Sequence, residues 1–236
     1  PPSPNGQVDQ VVLAAAFLCG VEEVHKIGGV QAIAAMAYGT ESVPVVDVIA
    51  GPGNVWVATA KQEVAGQVGI AAAFAGPSEI VVIGDASCPA TSAAVDLVLQ
   101  AEHGPGGRAW LVTWDEEYAA DVQVEINRIV ELSPRRDETL QTLTEDGYIC
   151  IVDTPLEAIE VVNEIAPEHL QLMCSEAGEL VDGVRNAGAV FVGNWGSAAI
   201  GDYVAGPSHV LPTAGTARFS GALTVEDFQK RMHVID

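Results

Sequence analysis

The sequence predicts an α/β protein with mostly parallel strands, arranged as two successive blocks. Three observations carry this. Short β-branched runs at residues 45–49, 80–83 and 109–113 alternate with longer helix-like stretches, the pattern of strands joined by helical crossovers. Glycine-rich turns, Gly28-Gly29 and Gly51-Pro52-Gly53-Asn54, each sit between an expected strand and an expected helix. A Gly-Pro pair within residues 75–79 separates the two blocks, and 236 residues suffice for one large domain or two modest ones.

Taken in order, residues 8–18 are apolar and Ala-rich and read as a helix stopped at Gly20. Residues 22–27 then read as a short strand entering Gly28-Gly29, followed by a helix over 31–38 closed by Gly39. The strand at 45–49 delivers the chain through Gly51–Asn54 into a helix over 55–64. Residues 80–83 form the next strand, and 89–103 a helix ending at Gly104-Pro105-Gly106-Gly107. Residues 109–113 are a strand, 116–132 a long acidic helix, and Pro134 a break before a further helix. A strand at 148–152, a helix at 156–165 and a strand at 190–192 close the series. Everything after Gly193 reads as loop until a helix near Val225.

Composition narrows the function. Asp plus Glu number 32 against 10 Lys plus Arg, a formal charge of −22. This opposes nucleic acid or an anionic membrane as partner, since both need a basic surface. The acidity fits a solvated surface, with adaptation to high salt left open. Cys19, Cys88, Cys150 and Cys174 stand singly, so neither a disulfide framework nor a thiolate zinc site is expected, and reduced thiols fit a cytoplasmic protein. No apolar run of membrane-spanning length and no signal-peptide pattern occurs. The opening Pro1–Gly6 reads as a connecting loop and Arg231–Asp236 has no helix stop, so both ends are expected to continue in a longer chain.

Three stretches carry candidate chemistry. In Gln100-Ala101-Glu102-His103 the first and last residues share a helix face, with Asp96 one turn earlier. An amide oxygen and an imidazole at that spacing can hold one cation; equally, His103 can cap the last helix carbonyls. Ala166-Pro167-Glu168-His169-Leu170 sets an acid beside an imidazole where a helix gives way to a loop, suited to proton transfer or to a plain cap. Gly201–His209 reads as a loop in which Asp202 offers a carboxylate to a metal held by Gln100 and His103, or forms an Asx turn. The two glycine loops suit an anion or a cofactor, although neither is the dinucleotide fingerprint.

Together with Gly28–Ala34 and Ala75-Gly76-Pro77-Ser78-Glu79, these stretches resemble the histidinol dehydrogenase family, in the same order and over essentially the whole chain. The closing Ala217–Gly221 and Asp227–Arg231 resemble its amino-alcohol branch. The resemblance implies two incomplete Rossmann-like domains of mostly parallel sheet in an aldehyde-dehydrogenase-like architecture. An NAD-side domain covers 1–78, a zinc and substrate domain 79–228, and residues 229–236 begin a C-terminal segment. It further implies Zn2+ on Gln100, His103 and Asp202, and the acid–base pair Glu168 and His169. NAD contacts fall on Gln31 and Asn54, and substrate contacts on Ser78, Gln100, His103, His169 and Asp202. The implied reaction takes an amino alcohol through the aldehyde to the carboxylate with two NAD, in a cytoplasmic enzyme that is a homodimer at full length. Two departures stand out: Gly69-Ile70-Ala71 replaces the family's Gly-Ile-Asp, and the family's fourth zinc ligand, a His, and a substrate Glu belong to a C-terminal segment outside these residues.

Overall fold

The computed structural model describes residues 1, 3–71, 76–104 and 106–236; Ala75 of the Ala75–Glu79 motif and Pro105 of the Gly104–Gly107 turn lie outside them. Packing divides the chain into two compact units, residues 1–73 with 226–236, and residues 74–225.

In the first unit, helix α1 (Gln10–Leu18) is capped by Asp9, whose side chain accepts from the Val11 amide. Helix α2 (Val30–Tyr38) ends at Gly39, where φ is 76°. Strand β1 (Val48–Ile49), helix α3 (Val55–Val64) and strand β2 (Gly69–Ile70) follow, and β1 and β2 pair in parallel. Ile33, Ala37, Ile49, Val64 and Val68 form the core. The strand expected at 22–27 does not form: its residues are irregular, and β1 and β2 make the only sheet among the described residues of this unit. A strand without a ladder partner leaves its amides unpaired, and Glu22, Glu23, His25 and Lys26 supply little apolar face to bury. Gly28-Gly29 therefore follows no strand, and the expected strand at 45–49 contracts to its last two residues.

The second unit is a five-stranded parallel sheet. Its elements are β3 (Glu79–Gly84), α4 (Ala90–Ala101), β4 (Arg108–Thr113), α5 (Glu116–Leu132), α6 (Arg136–Asp146) and β5 (Gly147–Ile151). They continue with α7 (Pro155–Ile165), β6 (His169–Met173), α8 (Ala177–Leu180), β7 (Ala189–Val192) and α9 (Ala198–Tyr203). The strand order is β5-β4-β3-β6-β7, every pairing parallel. β3 is buried along its whole length, as a central strand covered on both faces must be. Alternate side chains serve opposite faces: Ile80 and Val82 pack with Leu97, Leu111 and Val122, whereas Val81 and Ile83 pack with Ile159, Val162, Leu170 and Leu172.

Three further expectations are corrected. The stretch after Ala166 is no loop but β6, paired directly to β3. Its polar His169 and Gln171 are nonetheless buried, so the strand lacks the apolar pattern that announces one. Asp202 lies not in a loop but in α9, capped by Ser197. The helix expected near Val225 is a single 3-10 turn, Val225–Phe228. No helix among the described residues is long and apolar enough to cross a membrane.

Candidate active site

In a parallel sheet the crossover helices run against the strands, so helix C-termini meet strand N-termini at one edge. That edge gathers the candidate residues. β3 begins at Glu79 directly after Ser78, β6 begins at His169 directly after Glu168, and α4 carries Gln100 in its last turn, while His103 lies in the turn beyond its end at Ala101, short of the helix expected to 103. α9 brings Asp202 beside His169. Open α/β sheets usually bind ligands at the opposite, carboxyl edge. Here that edge is tied at the β3–β6 junction, where the Asp85 amide donates to the Met173 carbonyl at 3.3 Å and Ser175 Oγ donates to Asp85 Oδ2 at 3.5 Å.

Local sequence explains how the acid–imidazole pair reaches its place. Thr154 caps α7 and Pro155 starts it, and Ala166 ends it in the left-handed region at φ 51°. Pro167 disfavours a right-handed helical Ala166, so the chain leaves the helix sharply. Gly188 then closes against the turn, its amide donating to the Pro167 carbonyl at 2.9 Å, while Ala189 donates to the Glu168 carbonyl at 2.9 Å. A Cβ at position 188 would stand 2.6 Å from the Glu168 carbonyl oxygen, 3.1 Å from Pro212 and 3.2 Å from Leu211. Gly188→Ala is therefore expected to lower stability by about 1–3 kcal/mol, as crowding of a packed site does. Urea denaturation checks this; a change near zero would show that the β6 entry yields freely.

Glu79 organises the pair, a role the sequence did not disclose. Its amide donates to Glu168 Oε2 at 3.0 Å, and its carbonyl lies 3.1 Å from His169 Nδ1. A carbonyl only accepts, so Nδ1 carries a proton and Nε2 is the basic nitrogen of the neutral ring. Glu79 Oε1 accepts from the Ala214 amide at 2.9 Å, fixing a residue held at φ 54°. Burial raises the Glu79 carboxyl, the Ala214 amide opposes this, and the Glu168 charge adds to it. An acid at the head of an apolar strand carries no signal that its backbone will hold two other residues.

His169 is 3% exposed and stacks on Phe191 with ring centroids 6.0 Å apart. Its Nε2 has no hydrogen-bond partner and lies 3.7 Å from Asp202 Oδ1; Nδ1 also lies 3.4 Å from Glu168 Oε2. Burial pulls the imidazole down, but Asp202 and Glu168 outweigh it and carry the ring from 6.5 up to about 10. Asp202 moves reciprocally downward, first through His169, against its own burial, with the charges of His209 and His103 helping. Because the folded value lies above the unfolded one, this ion pairing stabilises fully below pH 6.5 and is lost as pH rises towards about 10. In the metal-free chain, the stability gap to His169→Asn is expected to shrink across that window in urea titrations. A gap that is constant or widens with pH would contradict it.

The metal candidates fit a cation in kind. His103 Nδ1 lies 3.3 Å from the Gln100 carbonyl, so the ring's other nitrogen is the one that could accept a cation. Gln100 is 3% exposed and Asp202 is partly open, its side chain 32% exposed. No group of three or more His, Cys, Asp or Glu gathers for a metal among the described residues; an amide, one imidazole and one carboxylate supply only two of those types. Ser78 sits half-buried at the head of β3, its carbonyl accepting from the Arg108 amide at 3.2 Å.

Within the first unit, Gln31 lies in the first turn of α2, beside Gly29 at φ 74°. A Cβ on Gly29 would stand 3.2 Å from Gln31 Oε1, so glycine leaves room for that amide. Asn54 caps α3, its Oδ1 accepting from the Val57 amide at 3.1 Å. Lys61, 2% exposed, reaches back from α3 to donate to the Gly51 carbonyl and pins the glycine loop. Its ammonium is lowered by burial. Both amides thus stand at helix N-termini, where backbone N–H groups favour anions.

Fold and site together define an α/β protein of mostly parallel sheets, with an acid–imidazole pair buried at the amino edge of the larger sheet. The chain belongs to the histidinol dehydrogenase family, whose model matches residues 1–236. It is 50% identical over 234 residues to histidinol dehydrogenase of Hydrogenovibrio crunogenus, covering 99% of this chain and 54% of that protein. It is 47% identical to that of Oceanobacillus iheyensis, covering 100% and 55%. A crystal structure of histidinol dehydrogenase from Elizabethkingia anophelis superposes with a TM-score of 0.91 at 35% identity, covering 96% of this chain and 52% of that one. The chain thus spans about half the length of the curated relatives it matches.

Proposed function

We propose that this chain carries the catalytic core for zinc-dependent, NAD-linked oxidation of L-histidinol through L-histidinal to L-histidine, the last steps of histidine biosynthesis. The observation that carries the reading is the state of His169. In a chain of this family, a buried imidazole has Nδ1 tied to a backbone carbonyl and Nε2 without a hydrogen-bond partner, 3.7 Å from the Asp202 carboxylate. Residues 1–78 serve NAD and 79–228 serve zinc and substrate, as two incomplete Rossmann-like domains in an aldehyde-dehydrogenase-like arrangement; residues 229–236 begin a C-terminal segment. The full-length protein is a cytoplasmic homodimer.

His169 Nε2 takes the hydroxyl proton of the amino alcohol. Asp202, when it shares its charge with a cation, holds a proton on His169 less strongly, which leaves the imidazole free to act as base. Glu168, fixed by the Glu79 amide, accepts a proton from the water that adds to the aldehyde, and the same site then serves the second oxidation. Ser78 and the imidazole of His169 position the substrate. Gln100, His103 and Asp202 would hold zinc, which supplies orientation by binding the substrate's nitrogens. Gln31 and Asn54 would hold NAD, which supplies the hydride acceptor; Asn54 Oδ1 already serves the α3 cap, so its amide NH2 is the group for that contact.

The test follows NADH absorbance with the purified chain, NAD and a panel of alcohols, with zinc added or chelated. Histidinol is expected to be the preferred alcohol and zinc to be required. The chain alone is expected to take up zinc weakly and turn histidinol over poorly, so the same assay is run on a version extended at the C-terminus. Faster oxidation of another alcohol would overturn the substrate assignment, zinc-independent turnover would overturn the metal, and no NADH from the extended version with any alcohol would overturn the activity.

A further inference from the structure

Ser78 sits on a short span, residues 76–79, that enters β3 at its last residue. Gly76 lies outside the ladder, so its amide needs another acceptor. It finds one far along the chain, donating to Thr213 Oγ1 at 2.6 Å. Thr213 is 1% exposed. A Cβ at position 76 would stand 3.0 Å from that hydroxyl oxygen, so glycine is what permits the approach. At the other end of the span, Glu79 Oε1 accepts from the Ala214 amide at 2.9 Å. Two consecutive residues, 213 and 214, therefore hold both ends of the span that carries Ser78. Their own turn is built: the Thr213 carbonyl accepts from the Thr216 amide at 3.1 Å and from the Thr216 hydroxyl at 2.7 Å. Leu211 and Pro212 lead into it, buried and packed at Gly188.

Resting on the reading that Ser78 contacts the substrate, we propose that Thr213 is a positioning residue for Ser78, acting through the Gly76 amide. Pro77 between them has a fixed φ, so the hold at Gly76 passes to Ser78 through a stiff link. The other side of Ser78 is fixed independently, its carbonyl accepting from the Arg108 amide and the next amide, of Glu79, donating to Glu168. Loss of the Thr213 hydroxyl thus frees the Gly76 side of Ser78 alone and leaves Glu168 and His169 on the β3 frame. The grip on the substrate falls while the proton transfers persist, a separation that a general loosening of the fold does not produce.

Thr213→Val keeps the side chain's shape and removes the acceptor; Thr213→Ser keeps the acceptor. In the version extended at the C-terminus, Thr213→Val is expected to raise the histidinol KM about two- to tenfold, the size of one ordinary hydrogen bond, with kcat little changed. Thr213→Ser should return KM to the wild-type value. Placed on Ser78→Ala, which itself raises KM, Thr213→Val is expected to add nothing. A wild-type KM in Thr213→Val, a fall in kcat alone, or the same rise on both backgrounds would overturn the proposal. A second readout needs no turnover: exchange of the Gly76 amide proton with water, followed by nitrogen-edited NMR of the chain, should quicken in Thr213→Val and not in Thr213→Ser. Equal exchange in the two variants would overturn the tie itself. Faster exchange in Thr213→Val joined to a wild-type KM in Ser78→Ala would overturn the substrate role of Ser78 and leave the Thr213–Gly76 tie standing.

Discussion

His169→Asn is expected to lower histidinol oxidation at least about a hundredfold, and by up to about ten-thousandfold, the range for removal of a placed general base. The substitution is chosen on geometry. Asparagine retains an NH2 close to where Nδ1 meets the Glu79 carbonyl at 3.1 Å, so the start of β6 keeps its tie to β3. It has nothing at the position of Nε2, the buried nitrogen that no hydrogen bond occupies. The effect should therefore fall on turnover more than on apparent histidinol affinity. Steady-state NADH formation measures it, and near wild-type turnover would mean that His169 only packs against Phe191 and pairs with Asp202.

Glu168→Gln should separate the two oxidations. Glutamine can still accept from the Glu79 amide through its side-chain oxygen, but it cannot take a proton. Only the aldehyde step requires an activated water, so histidinal oxidation is expected to fall about a hundredfold or more, while alcohol oxidation falls by much less. Parallel assays starting from histidinol and from histidinal measure the split. Equal losses on the two substrates would reject the division of work between Glu168 and His169.

The strands that announced themselves were those whose own side chains are uniformly β-branched and buried, Ile80–Ile83 above all. Helix α5 was equally plain because one apolar stripe with Tyr118, Val122 and Val130 runs through an otherwise acidic stretch. β6 stayed hidden because His169-Leu170-Gln171-Leu172-Met173 carries two polar residues, although it sits beside β3 near the centre of the sheet. Gln171 is fully buried there; only tertiary packing tells such a residue from a loop glutamine. α9 was hidden because glycine weakens a helix of six residues. Its Gly201 is explained by Phe191, whose ring would stand 2.6 Å from a Cβ at that position. Glu79 and Thr213 act through partners distant in sequence, Glu168 and Gly76, and no local pattern encodes such meetings.

The measurement that addresses the central claim most directly is the number of NADH molecules formed per histidinol consumed when the alcohol is limiting and the products are identified. One site performing both oxidations predicts about two NADH per alcohol, with histidine as the product and the aldehyde not accumulating. A ratio near one with histidinal accumulating would contradict the claim that Glu168 and His169 together complete the second step.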